Sequence, residues 1–214
     1  MRRKRLAAVL MLSVLVVSSG CIGFLTGSED LTFEADPAAT AESAASSAGY
    51  ESNGTRTQVV EREFSAAGQT RTVEAANKVT TYEKTIDIPL LGSAKLGVFT
   101  VVSSPAVEIA GETFNPIGDY SNDRLVRFIA SSYDGLDGVE QVSQRQITVL
   151  GTETTVTKYS ATATIEGQEV DVFVHVTKVR DGEDFVVALG IYPQRLDGEE
   201  ENVISMTRAA EHPA

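Results

Sequence analysis

His175 and Asp171 lie four residues apart, a spacing that sets both on one side of a strand. An imidazole and a carboxylate together suit proton transfer or half of a metal site. Four residues of strand span roughly 13 Å, so these two do not touch. A histidine hydrogen-bonded beneath a covering helix is the simpler account of His175. The second histidine, His212, falls in a terminal stretch expected to fray. Ser103-Ser104 precedes Pro105 at a strand end, without the Gly-x-Ser-x-Gly turn that presents a nucleophile. Asp119, Asp123, Asp134 and Asp137 gather around one helix but lack the alternation of a calcium loop. The sequence has neither a Walker pattern nor a dinucleotide-binding glycine pattern. With two histidines and one cysteine in 214 residues, no catalytic residue, metal or cofactor is expected.

The one thiol, Cys21, has a different chemistry available. Met1-Arg2-Arg3-Lys4-Arg5 is basic, Leu6 to Val17 is apolar but for Ser13, and Ser18-Ser19-Gly20 precedes the cysteine. A positive start, a short apolar run and small residues before a cut site make an export signal. Twelve residues of helix span roughly 18 Å, short of the roughly 30 Å hydrocarbon core. Gly20-Cys21 resembles the end of the lipobox of bacterial and archaeal lipoproteins, which implies cleavage before Cys21 and lipid on its sulfur. Ser18 stands where Leu or Val is usual. Arg2-Arg3 also resembles a twin-arginine signal, and the export route stays open. Residues 1–20 are therefore expected to be a signal peptide and Cys21 the lipid attachment. The protein is expected on the extracytoplasmic face of the cell membrane, with the membrane itself as partner.

Cleavage there leaves 14 basic groups against 30 acidic ones, a formal −16. That charge excludes a nucleic-acid binder working through phosphate neutralisation. With no polybasic patch after Cys21, firm anchoring needs lipid chains. Residues 21–54 are rich in Ala, Ser, Glu and Gly and are expected to be a flexible acidic tether. The alternative is an Ala-rich helix over 38–48. Asn53-Gly54-Thr55 is a glycosylation sequon within that stretch.

Residues 55–214 read as one α+β domain, an antiparallel sheet of about five to seven strands packed by two helices. Thr55–Phe64 and Thr70–Thr85 form a hairpin, and Gly97–Ser103 is a buried strand ending at Pro105. Ser121 or Asn122 caps a helix carrying Leu125, Val126, Phe128 and Ile129. A second helix falls near 198–210, with Val203, Ile204 and Met206 apolar. A turn centred on Asp181-Gly182 pairs Val176 with Val187 and His175 with Ala188. A turn after Glu166 pairs Ile165 with Val170 and Ala161 with Val174. Both registers gather Ala161, Ala163, Ile165, Val170, Val172, Val174, Val176, Val187, Leu189 and Ile191 on one face. Val186, Ala188 and Gly190 leave room on the other for a close helix. Phe114, Asn115 and Tyr120 precede the first helix and are a candidate binding rim, since loops on rigid scaffolds often bind.

Several segments together resemble a family of haloarchaeal lipoproteins bearing a domain of unknown function, over about residues 55–212. They are Tyr82-Glu83-Lys84, Phe99 through Ser103-Ser104-Pro105, Gly111 to Gly118, Val149 to Thr154, and Glu183 to Ala188 with Tyr192-Pro193. The element order is also similar to the PsbP-like fold. The haloarchaeal resemblance implies no established activity. The acidity fits such a source: in molar salt the Debye length is about 3 Å, and carboxylates act as hydrated surface groups. The expected function is a non-enzymatic binding or accessory module for a membrane complex or small ligand. The alternative is an extracytoplasmic hydrolase using two facing carboxylates.

Overall fold

The computed structural model describes residues 31–66, 69–88, 92–109, 112–113, 115–132, 135–165 and 167–214. The expected signal peptide, Cys21, Phe114 and Asp134 lie outside the described residues.

Strand dominates the chain, which overturns the α+β class and the PsbP-like layer arrangement attached to it. The strands are β1 (Leu31–Glu34), β2 (Ala39–Thr40), β3 (Glu51–Ala66), β4 (Gln69–Ile88) and β5 (Gly92–Pro105). Then follow β6 (Glu108–Ile109), β7 (Glu112–Thr113), β8 (Leu136–Val149), β9 (Thr152–Ile165), β10 (Gln168–Asp181), β11 (Asp184–Pro193) and β12 (Ala210–Glu211). Among the described residues are three short helices, α1 (Glu42–Ala48), α2 (Asn122–Ser132) and α3 (Glu199–Arg208). The helices are 7, 11 and 10 residues long, whereas β3 and β4 run to 16 and 20. Helices this short cover parts of a sheet and do not make a layer of equal weight.

The contacts divide the chain into two units. The smaller comprises residues 1–33 and 59–75. There Thr32 donates to Glu74, Val73 is buried, and Val59 and Val60 are exposed. The larger unit, residues 34–58 and 76–214, holds the main sheet, in the order β4-β5-β11-β10-β9-β8, each neighbouring pair antiparallel.

Both tight turns differ from expectation by one position. Asp181 pairs with Asp184, so Gly182 and Glu183 form the turn, with Gly182 at φ 59°. A glycine at the first central position suits a type II′ turn, whose twist matches the strands. Ile165 likewise pairs with Gln168, where Val170 was expected. Each shift moves the partner by two residues, and because side chains alternate with period two the expected face survives. Ala161, Val172, Val174, Val176 and Val187 are buried there against Leu125 and Val126 of α2. Ile165 is exposed, beside the turn.

The opposite face packs α1 and α3 over Tyr82, Phe99, Val101, Val186 and Ala188. Gly190 admits α3: a Cβ on it would stand 2.5 Å from Val203 Cγ1. Gly190→Ala is expected to cost about 2 kcal/mol through overpacking. Chemical denaturation measures it, and Val203→Ala in the same chain should return much of the loss.

The expected tether is instead part of this face from Ala35 onward. Ala38, Ala45, Ala48 and Tyr50 are buried, and α1 occupies most of the stretch weighed as an Ala-rich helix. Small side chains let α1 sit close to α3. The segment's polar groups find distant partners: Thr40 Oγ1 donates to Met206 O at 2.7 Å, and Thr80 Oγ1 to Ala38 O at 2.6 Å. β2 pairs with β12, which fastens the segment to the C-terminus. His212 is likewise no frayed residue, for its side chain is 6% exposed between Asp181 and Asp184, at 2.9 and 3.0 Å.

Candidate functional site

Three glutamates open α3, and each points to a different strand. Glu199 turns inward, 1% exposed, to Lys84 Nζ of β4 at 2.7 Å. Glu200 meets Lys158 of β9 at 2.6 Å, and Glu201 meets Arg145 of β8 at 2.9 Å. Negative charge at a helix start is favourable in itself, and here it also ties the helix to the sheet.

A hollow of about 220 Å³ lies where α3 crosses β8, β9 and β10, walled by Gln144, Arg145, Lys158, His175, Glu200 and Ile204 among others. His175 forms part of its wall and is 3% exposed. Its Nε2 lies 3.0 Å from the Tyr192 hydroxyl, and the two rings stack 5.6 Å apart. Its Nδ1 is buried without a hydrogen-bond partner. Burial pulls the imidazole down to about 4; Glu200 opposes this, and Lys158 and Arg145 add to it. The ring is therefore neutral at pH 7. The hydrogen bond from Lys158 holds the Glu200 carboxyl below its ordinary range. Burial, then the charges of Glu200, Glu199 and Glu201, raise the Tyr192 phenol, which stays protonated. Lys158 Nζ also stands 3.7 Å above the Phe173 ring, which holds its position.

The Tyr50 hydroxyl is buried close to the Glu199 carboxylate, whose Oε1 is also buried. Burial first, and the Glu199 charge second, push the Tyr50 phenol up.

The candidates from sequence scatter. Asp171 is exposed and takes no part with His175. Ser103 and Ser104 are buried and hydrogen-bonded, to Asp36 O and to Asn77. Asp123 accepts from Tyr159 at 2.6 Å, and no metal-binding group of three or more acidic, histidine or cysteine residues occurs among the described residues. Asn53 is exposed on β3, while Thr55 of its sequon is engaged with Thr80 at 2.8 Å.

The loop expected as a rim is held from beneath. Asn115 is buried and donates to Ser104 and Pro105 O. Tyr120 is half-buried, edge-on to Phe128 and capped by Arg124 at 4.0 Å. Lys178 Nζ donates to the carbonyls of Ile117, Gly118 and Tyr120 at 2.7, 2.7 and 2.9 Å. Burial lowers this lysine, and Asp119 opposes the shift. Lys178→Met should cost about 2 kcal/mol, since three carbonyls lose a charged donor. Hydrogen exchange is the measurement: amides from 117 to 125 should exchange faster than in the parent, and unchanged protection would show that the lysine is dispensable.

The sequence reading missed Lys158, Tyr192, Arg145 and Glu200. The signal was the strand register, which sets His175 opposite Lys158 on one side and Gly190 on the other.

No curated protein matches the chain. Among solved structures it is similar to a protein of unknown function, PA94 from Pseudomonas aeruginosa, titled a putative regulator. Identity is 12%, covering 63% of this chain and 83% of that one, with a TM-score of 0.27. A likeness that low carries nothing about fold or role. The informative match is to a family model that spans residues 37–211, including the strap at 38–48, the whole hollow and α3: the chain belongs to the family described as Domain of unknown function (DUF6517).

Proposed function

We propose that this is an exported lipoprotein of haloarchaeal type, held by lipid on Cys21 at the extracytoplasmic face of the membrane. Its folded part is a non-enzymatic binding module, and the hollow beneath α3 is where a small polar ligand sits. The observation that carries the binding role is the hollow itself, whose wall brings His175, Lys158, Arg145 and Glu200 together under α3. Glu200, the carboxylate in the wall, is kept ionised by Lys158 and so is poorly suited to donate a proton as a hydrolytic acid would. The anchoring role rests on the residues before and at Cys21. With the strap folded, Cys21 and Leu31 are only ten residues apart, so even an extended chain keeps β1 within about 35 Å of the anchor.

Intact-mass analysis of the protein from native membranes tests the anchor. The expected product begins at Cys21 and carries lipid mass there; an intact Met1 or a bare thiol would refute the reading. Affinity capture from those membranes in high salt tests the module, with a co-purifying ligand or complex expected.

A further inference from the structure

The chain holds five asparagines, Asn53, Asn77, Asn115, Asn122 and Asn202, and only Asn53 begins an Asn-x-Ser/Thr tripeptide. It is also the only one of the five that is exposed. The others are committed to the fold: Asn77 accepts from Ser104, Asn115 donates to Pro105 O, Asn122 to Thr155 O and Asn202 to Glu199. The single asparagine with the spacing for a sugar is thus the single one with room for it.

The surroundings fit the same use. Among the described residues β3 pairs with β4 alone, so its outer edge is open, and residues 51–58 are all exposed. The strand contains neither proline nor lysine, residues that commonly keep such an edge from pairing with another chain. Gly54, between Asn53 and Thr55, takes φ 82°, and nothing lies within 4 Å of where its Cβ would stand. A hollow of about 190 Å³ adjoins the tripeptide, with Arg56, Thr81 and Glu83 in its wall. These three offer donors and acceptors to sugar hydroxyls. The Asn53 side chain already bonds the Glu83 carboxylate. Its amide nitrogen carries two hydrogens, and a sugar replaces only one of them.

We propose that Asn53 is N-glycosylated in the exported protein, an inference that rests on the export reading, and that the glycan covers the open edge of β3. In the transfer, Asn53 Nδ2 forms a bond to the anomeric carbon of a sugar carried on a lipid phosphate. The bond from that carbon to the phosphate oxygen breaks, and the lipid phosphate leaves with the electron pair. The amide gives up one proton to a base of the transferring enzyme.

The test is peptide mass analysis of the full chain taken from native membranes. Cleavage after glutamate frees residues 52–61, which hold Asn53 but not Cys21. That peptide is expected to carry added sugar mass on Asn53. Made in the native cell, Asn53→Gln should lose the addition and Thr55→Ser should keep it, since serine preserves both the tripeptide and the hydroxyl that meets Thr80. A bare 52–61 peptide from protein that begins at Cys21 overturns the inference and leaves the export reading standing. An intact Met1 together with a bare Asn53 overturns both. Sedimentation in molar salt reads the covering role: Asn53→Gln should form several-fold more dimer and larger species than the parent, and an unchanged distribution would overturn that role.

Discussion

Lys84→Met is expected to lower the unfolding free energy by about 4 kcal/mol. Glu199 is 1% exposed, and its Oε2 is held by Lys84 at 2.7 Å and by Asn202 at 3.2 Å. Its other oxygen is buried as well, and the Tyr50 phenol lies close to the carboxylate. Removing the ammonium leaves a buried carboxylate with only neutral donors near it, and breaking a buried pair this way typically costs about 3–5 kcal/mol. The effect should spread, because Glu199 begins α3, and α3 covers Gly190 and packs on α1. Equilibrium denaturation of parent and variant in the same salt gives the number. Glu199→Gln in the Lys84→Met background should restore part of the loss, since the remaining charge is gone. A single-variant loss below about 1 kcal/mol would mean that water reaches Glu199 in the folded protein.

The second large effect is with pH. The folded protein holds His175 at about 4, against an ordinary value of 6.5, chiefly by burial. The unfolded chain therefore binds this proton more readily. Stability from the neutral ring is fully present above pH 6.5 and is lost as pH falls through about 4. The difference of about 2.5 pH units corresponds to about 3 kcal/mol. Other groups titrate in the same range, so the informative quantity is the parent minus His175→Gln. That difference should decline by about 3 kcal/mol between pH 7 and pH 4. A flat difference would show that the imidazole accepts its proton inside the fold, with Glu200 as its counter-charge.

Much of the sheet could be read from the chain because alternation is local. The apolar set from Ala161 to Ile191 chooses one face with no knowledge of its neighbours, and a two-residue slip does not disturb the choice. Helices α2 and α3 were equally readable: Ser121 caps α2 through the amide of Arg124, and Val203, Ile204 and Met206 form the buried side of α3. The same slip was fatal for the hollow. A histidine paired with Ala188 has nothing to do, whereas one paired with Gly190 and Lys158 stands beside Tyr192 and a cation. Turn geometry made that difference, through which residue takes the positive φ at Gly182.

The residues from 35 to 50 show the other limit. Their alanines and serines have no periodic apolar stripe, and composition alone describes a solvated coil. They fold because a distant surface accepts them: Tyr82 bonds Thr40, the Thr80 hydroxyl meets Ala38 O, and β12 supplies a pairing edge. Local pattern was enough for strand faces, helix positions and acidity, since each depends on neighbours along the chain. The strap, the three-way splay of Glu199, Glu200 and Glu201, and the pocket around His175 depend on distant partners, Met206 lying 166 residues from Thr40. Such contacts arise only when burial brings remote segments together, so no window of sequence contains them.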